Sequence, residues 1–178
     1  MKSPAALRHS LHERLYHEAR AYAGDADRPL AAYTGLMGTY ATAVLATAAA
    51  ARATRRPLPA PGLWDVTLSA LATHQLGRLV AKDPVTSPLR APFTRFEGTS
   101  GPAELDEEVR GTGARKAIGE LLSCPFCTGL WIATGITAGT LFAPRATRLA
   151  TATLSALAAA DLLHFARAAL QRAAGETS

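Results

Sequence analysis

The sequence predicts an all-α integral membrane bundle of about four spanning helices, preceded by an amphipathic N-terminal helix. Three observations carry that prediction. Hydrophobic residues fill 48% of the 178 positions and charged ones only 19%, below the roughly 25% typical of a soluble domain. The apolar residues gather into long segments separated by proline- and charge-rich breaks, as spanning helices require. The positive charges fall mostly on one side of those segments, as the orientation of membrane proteins demands. Disordered and collagen-like chains are excluded by the same composition. Two cysteines three positions apart cannot staple a disulfide scaffold.

Residues 1–29 form the first unit. The stretch 3–23 reads as a helix, with Ser3 as cap, Pro4 at the first position and Gly24 at the end. Leu7, Leu11, Leu15 and Ala19 share a face, and histidines and arginines cover most of the rest. No apolar run follows Lys2, so this is not a signal peptide. Such a helix lies on a membrane surface or packs on its own protein.

Residues 30–178 form the membrane domain, with spans near 31–51, 63–80, 124–143 and 149–167. Ala31 to Ala51 carries no charge, and about 20 apolar residues cross a hydrocarbon core. Gly35, Gly38 and Thr42 are expected to permit close helix contact there. A Pro-rich turn follows. The second span opens with Trp64 and Asp65, an interfacial anchor and an anion at the positive end of a helix. Residues 81–116 form a long polar connection in which no strand pattern stands out, and a short helix closes it near 115–122. The last two spans are separated by a turn at Pro144-Arg145.

Charge then orients the bundle. The N-terminal segment, the 81–116 connection and the C-terminal end hold thirteen Lys and Arg residues, and the two opposite turns hold five. Both termini and the connection are expected in the cytoplasm, with the protein crossing its membrane several times. The connection carries both signs of charge, so no nucleic-acid partner is expected. Its partners are the lipid bilayer and, through 81–116, a protein. Arg110-Gly-Thr-Gly-Ala-Arg-Lys116 lacks the ending and the preceding strand of a phosphate loop.

This topology gathers polar residues at one level. His74, Arg78, Lys82, Asp83, Arg90 and Asp161 form the expected cluster, with Arg78 and Asp161 as its ion pair. Cys124-Pro-Phe-Cys127 opens the third span. Three readings stand for it: a redox pair at a helix N-terminus, half of a Cys₂His₂ zinc site completed by His74 and His164, or small packing residues. Cys124, at the cap, is expected to be the more accessible thiol.

Two stretches carry a resemblance. They are Thr73-His-Gln-Leu-Gly-Arg-Leu-Val-Ala-Lys-Asp-Pro-Val-Thr-Ser-Pro-Leu-Arg-Ala-Pro-Phe93 and Arg110-Gly-Thr-Gly-Ala-Arg-Lys-Ala-Ile-Gly-Glu-Leu-Leu-Ser-Cys-Pro-Phe-Cys-Thr-Gly-Leu-Trp131. Together they resemble domain-of-unknown-function family 1360, sporulation-protein-like bacterial membrane proteins, over roughly residues 60–170. The resemblance implies a multi-helix membrane protein and assigns no catalytic residue. The expected function is therefore non-enzymatic: an interaction or assembly protein with a cytoplasmic contact loop and no cofactor. The alternative is a thiol–disulfide or metal-dependent activity at Cys124 and Cys127, in which zinc would enter through the Cys₂His₂ arrangement.

Overall fold

The computed structural model describes residues 4–175, with backbone alone at 4–8, 10–12 and 15. The expected Ser3 cap and the side chains of Leu7, Leu11 and Leu15 lie outside the described residues. The elements run α1 (Pro4–Ala23), α2 (Leu30–Ala53), α3 (Leu63–Lys82), a 3₁₀ turn (Pro84–Thr86), α4 (Ser87–Arg90), β1 (Thr94–Gly101), β2 (Glu104–Val109), α5 (Gly113–Ser123), α6 (Pro125–Phe142) and α7 (Pro144–Gly175).

Local chemistry sets the ends of these helices. Gly24, at φ +55°, stops α1 in the left-handed region where glycine pays no Cβ penalty. Asp65 reaches back to accept a hydrogen bond from Gly62 N at 3.0 Å, tying down the start of α3. Pro125 and Pro144 occupy first helical positions, where a missing N–H costs nothing. Single residues, Cys124 and Ala143, separate α5 from α6 and α6 from α7.

Helix α3 is the centre of the bundle. It packs most extensively on α6 and α7, while α2 lies against α5 and α6. Small residues make the approaches. A Cβ on Gly77 would lie 3.2 Å from the Pro125 carbonyl oxygen, and one on Gly139 would collide with Thr147. Ser155, buried on α7, donates to the Leu68 carbonyl of α3 at 2.8 Å. Tyr40 of α2 meets Trp131 of α6 edge to face at 5.2 Å and shares a 2.9 Å hydrogen bond with Thr134. Gly35 and Gly38 play no such part: a Cβ at either position meets nothing within 4 Å. The close glycine approaches fall on α3 and α6 instead of α2.

Among the described residues, the buried apolar positions are all alanines: Ala51, Ala72, Ala81, Ala117 and Ala158. Leu45, Trp64, Leu130, Leu149 and Leu163 stand exposed. A soluble domain of this size buries its Leu, Ile and Phe, so the distribution is inverted. Helices α6 and α7 are long and apolar enough to cross a membrane, and their most apolar windows are only 6% and 17% buried within the protein. Helices α2 and α3 have 24 and 20 residues but fall short in composition. Ala and Thr dilute α2, and Asp65, His74, Gln75, Arg78 and Lys82 dilute α3.

The fold is not purely helical. Strands β1 and β2 pair antiparallel, with Gly101 opposite Glu104 and Thr94 opposite Val109. The two-residue turn is Pro102-Ala103, with Ala103 at φ +57°. The expected featureless connection is therefore a hairpin flanked by short helices. Both strands are too polar for an apolar alternation to show, and the irregular register between Phe96 and Gly98 breaks the period further.

Candidate functional site

Two polar assemblies sit where α3 ends. The first is built on Arg90, whose side chain is the largest fully buried one among the described residues. Its guanidinium donates to both carboxylate oxygens of Glu107, at 2.6 and 3.2 Å. It also donates to the carbonyls of Val80 at 2.7 Å and Asp83 at 3.1 Å, and to the Thr86 hydroxyl at 2.8 Å. A planar, forked cation suits this arrangement, and a lysine could not reach all five acceptors. Asp83 accepts from Val85 N at 2.8 Å, and buried Thr94 donates to the Arg90 carbonyl at 3.0 Å. The Lys82-to-Phe93 stretch is thus a clamp that turns the chain out of α3 and fixes β2 to it.

The stretch beginning at Arg110 completes that support. Gly111 (φ +87°) and Gly113 (φ +57°) allow the turn into α5. Arg110 donates to the Ala91 carbonyl at 2.6 Å, and Arg115 to that of Pro92 at 2.8 Å. A Cβ on Gly119 would lie 2.7 Å from a Val109 methyl and 3.1 Å from the Phe93 carbonyl oxygen, so only glycine lets α5 seat against the hairpin.

The second assembly is built on Arg78. Its Nε donates to Glu104 at 3.0 Å, and its Nη1 donates to Asp161 Oδ2 at 3.1 Å. Gln75, on the same face of α3, donates to that same Oδ2 at 3.0 Å. Three elements, α3, α7 and β2, meet at these side chains. Beside them lies a cavity of about 650 Å³ between α3, α7 and the turn at Pro102-Ala103. Asp83 and His164 also line it.

The expected six-residue cluster is therefore divided. Arg78 and Asp161 belong to the second assembly and Arg90 to the first, with Asp83 bordering both. His74 is exposed and Lys82 half-buried, and neither belongs to either assembly. Glu104, Glu107 and Gln75 complete the two assemblies and were not singled out by sequence. Gln75 was within reach, since it lies three positions before Arg78 and so shares its helix face. The carboxylates were not, because nothing in an acidic run marks which members turn inward.

The cysteines are free thiols at the junction of α5 and α6. Cys124 caps α6, its sulfur accepting from Cys127 N at 3.3 Å, and the two sulfur atoms are 2.7 Å apart. Accessibility runs opposite to expectation. Cys127 is exposed and Cys124 half-buried, because Cys124 is wedged between two helices while Cys127 faces outward from the first turn. Among the described residues, no three or more His, Cys, Asp or Glu side chains are grouped to hold a metal ion. The Cys₂His₂ arrangement of Cys124, Cys127, His74 and His164 is not assembled among the described residues: His164 borders the cavity, and His74 is exposed and does not line it.

Comparison with known proteins adds a family and a relative. A family model described as "Protein of unknown function (DUF1360)" matches residues 68–167. The chain is 44% identical over 75 residues to the sporulation protein YjcA of Bacillus subtilis (strain 168), a match covering 40% of this chain and 63% of that relative. No solved structure matches.

Proposed function

The chain belongs to the DUF1360 family of proteins of unknown function, and from that premise we propose that it is a multi-pass membrane assembly protein whose hairpin docks a protein partner. In this reading α2, α3, α6 and α7 all span the bilayer. Both termini and residues 81–116 face the cytoplasm of a bacterial inner membrane. The lysine and arginine distribution supports that orientation, and the alanine-only apolar core supports lipid as the bundle's solvent.

The observation that carries the docking reading is the Arg90 clamp. A two-stranded hairpin is marginal by itself. This one is tied by a bidentate ion pair to the fully buried Arg90 of α4, which also donates to the Val80 carbonyl of α3, while Arg95, Phe96 and Glu97 on β1 are left exposed. Phe96 is 62% exposed. A rigid platform that presents an exposed aromatic side chain supports a docking role. The similarity to a sporulation protein directs the search to partners in cell-envelope assembly.

Two measurements test the reading. A reporter active only outside the cytoplasm should be active after Ala60 and silent within the Pro102-Ala103 turn; activity at the turn would invert the topology. A photocrosslinker at Phe96 should yield a discrete protein adduct that Arg95→Glu weakens several-fold. No adduct at Phe96, with one at lipid-facing Leu45 instead, would remove the docking role.

The geometry of the thiols favours a second reading. With the sulfurs at 2.7 Å and Cys127 exposed, the pair is arranged for exchange with a disulfide of a partner. Cys127, which donates to Cys124, would attack that disulfide as its proton passes to the departing partner sulfur, leaving one partner thiol and a mixed disulfide. Cys124 thiolate would then displace the second, leaving Cys124–Cys127 oxidised and the partner reduced by two electrons. Cys124→Ser should trap the mixed disulfide on Cys127. If neither single variant accumulates an adduct, and mild oxidant leaves maleimide labelling unchanged, the cysteines are packing residues.

A further inference from the structure

We infer that the cleft between the C-terminal half of α2 and α6 binds the phosphate of an anionic phospholipid, whose acyl chains lie along those two helices. The inference rests on the membrane setting proposed above and is independent of the docking role of Phe96.

The first argument is positive charge without a counter-ion. A cavity of about 530 Å³ opens between α2 and α6, and Arg52, Arg55 and Arg56 line it. Neither helix contains an Asp or Glu, and nor does the 54–62 connection that follows α2. Asp65, the next carboxylate along the chain, lines a neighbouring cavity and accepts from Gly62 N. Among the described residues, nothing hydrogen-bonds or ion-pairs with the guanidinium groups of Arg52 and Arg55. Arg56 donates from Nη1 to the Leu141 carbonyl at 2.8 Å and lies over the Phe142 ring, which anchors it with other N–H donors to spare. The carbonyls at the end of α2 do not absorb this charge: those of Ala50, Ala51 and Arg52 accept from the amides of Thr54, Arg56 and Arg55. The lining threonines Thr47 and Thr137 donate within their own helices. What is left for a ligand is a set of cationic donors, and the planar fork of arginine matches phosphate oxygens.

The second argument is the backbone. Arg55 sits at φ +49°, the left-handed position after a helix that glycine fills at least cost. Local strain of this kind is kept where the side chain is used. In the proposed orientation this end of α2 also faces away from the cytoplasm, the side that disfavours lysine and arginine. A phosphate partner accounts for an arginine triplet placed there.

The third argument is the rest of the wall. Val44, Ala48, Leu58 and Leu141 supply apolar surface, with Val44 and Leu58 exposed. Helix α6 is one of the two able to cross a membrane. A head group held at the end of α2 can therefore trail its chains between α2 and α6, and the cavity lies in the size range of small-molecule sites.

The test titrates the full chain, purified in a non-ionic detergent, with short-chain phosphatidylglycerol, its phosphatidylcholine counterpart and free glycerol phosphate. Calorimetry and thermal stability are the readouts. Phosphatidylglycerol should saturate, with the other two at least tenfold weaker. Arg55→Gly should weaken phosphatidylglycerol at least fivefold while matching or exceeding the parent in lipid-free thermal stability, because it removes a charge and relieves the left-handed backbone together. Loss of affinity in that variant is therefore not loss of fold. Arg145→Gln removes a charge just past α6, outside the cavity, and should leave the affinity unchanged. The site is overturned if the choline lipid or free glycerol phosphate binds as tightly as phosphatidylglycerol, if Arg55→Gly titrates like the parent, or if Arg145→Gln is equally damaging. A chain that stays in solution once detergent is removed would overturn the membrane setting and the site with it. A chain that needs detergent but ignores phosphatidylglycerol loses the site alone.

Discussion

The cap around β1, β2 and α5 and the bundle of α3, α6 and α7 are held together by opposite means. In the cap, the buried feature is a charge: Arg90, surrounded by five acceptors drawn from three elements. In the bundle, it is the lack of bulk: Gly77 on Pro125, Gly139 on Thr147, and alanines throughout the interior. The difference teaches where each region finds its stability. The bundle leaves its large apolar side chains outside, and in the proposed membrane setting its helices gain from close approach and dispersion rather than from hiding Leu and Phe. The cap has little apolar surface to bury and depends on directional bonds that are costly to leave half-made.

Breaking the clamp should have the largest effect. Arg90→Ala leaves Glu107 buried and unpaired and should destabilise the cap by about 3–5 kcal/mol, read as rapid proteolysis near residues 97–103 while α6 and α7 remain protected. Pairing Arg90→Met with Glu107→Leu should recover part of that loss. Recovery should stay incomplete, because the Val80 and Asp83 carbonyls would still lack their donor. Full recovery would mean that the ion pair alone holds the cap.

Next comes the seam between the regions. Removing Arg78 leaves Asp161 and Glu104 facing each other, and both partners are less than a third exposed. A loss of about 1–3 kcal/mol is expected, between the limits for exposed and buried pairs. A simple charge swap, Arg78→Asp with Asp161→Arg, should not restore stability, since it sets a carboxylate beside Glu104. Adding Glu104→Lys should. Restoration by the swap alone would show that Glu104 contributes nothing.

The smallest effects separate the glycines. Gly119→Ala forces its Cβ to 2.7 Å from Val109 and should cost about 1–3 kcal/mol. Gly35→Ala and Gly38→Ala meet open space and should stabilise α2 by up to about 1 kcal/mol through helix propensity. Destabilisation at Gly35 or Gly38 in membranes, with none in detergent, would reveal a second chain packed on α2.

The bundle was legible because punctuation is local. Proline, glycine and charge mark the ends of α2, α3, α6 and α7 in the sequence itself, and those helices fall within a few residues of expectation, apart from α7, which runs on to Gly175. The hairpin was illegible because its reason is remote. Thr94–Gly101 and Glu104–Val109 lack an apolar face, and what fixes them is a side chain arriving from Arg90. Composition located the polar residues on α3 and α7, but only the fold sorted them into two assemblies and exposed His74. In the two quoted stretches, Gly111 and Gly113 serve the turn into α5, Gly119 seats α5 on the hairpin, and Gly77 packs on Pro125.

The separations along the chain set the clamp and the seam apart once more. Arg90 and Glu107 are 17 positions apart, and Arg78 lies 26 positions from Glu104 but 83 from Asp161. Closing a longer loop costs more chain entropy, so the clamp and the Arg78–Glu104 pair are local contacts of one segment, and the Asp161 contact is the long-range one. Arg78 therefore has a counter-ion within its own stretch of chain, and α7 adds a second carboxylate to a charge that already has one.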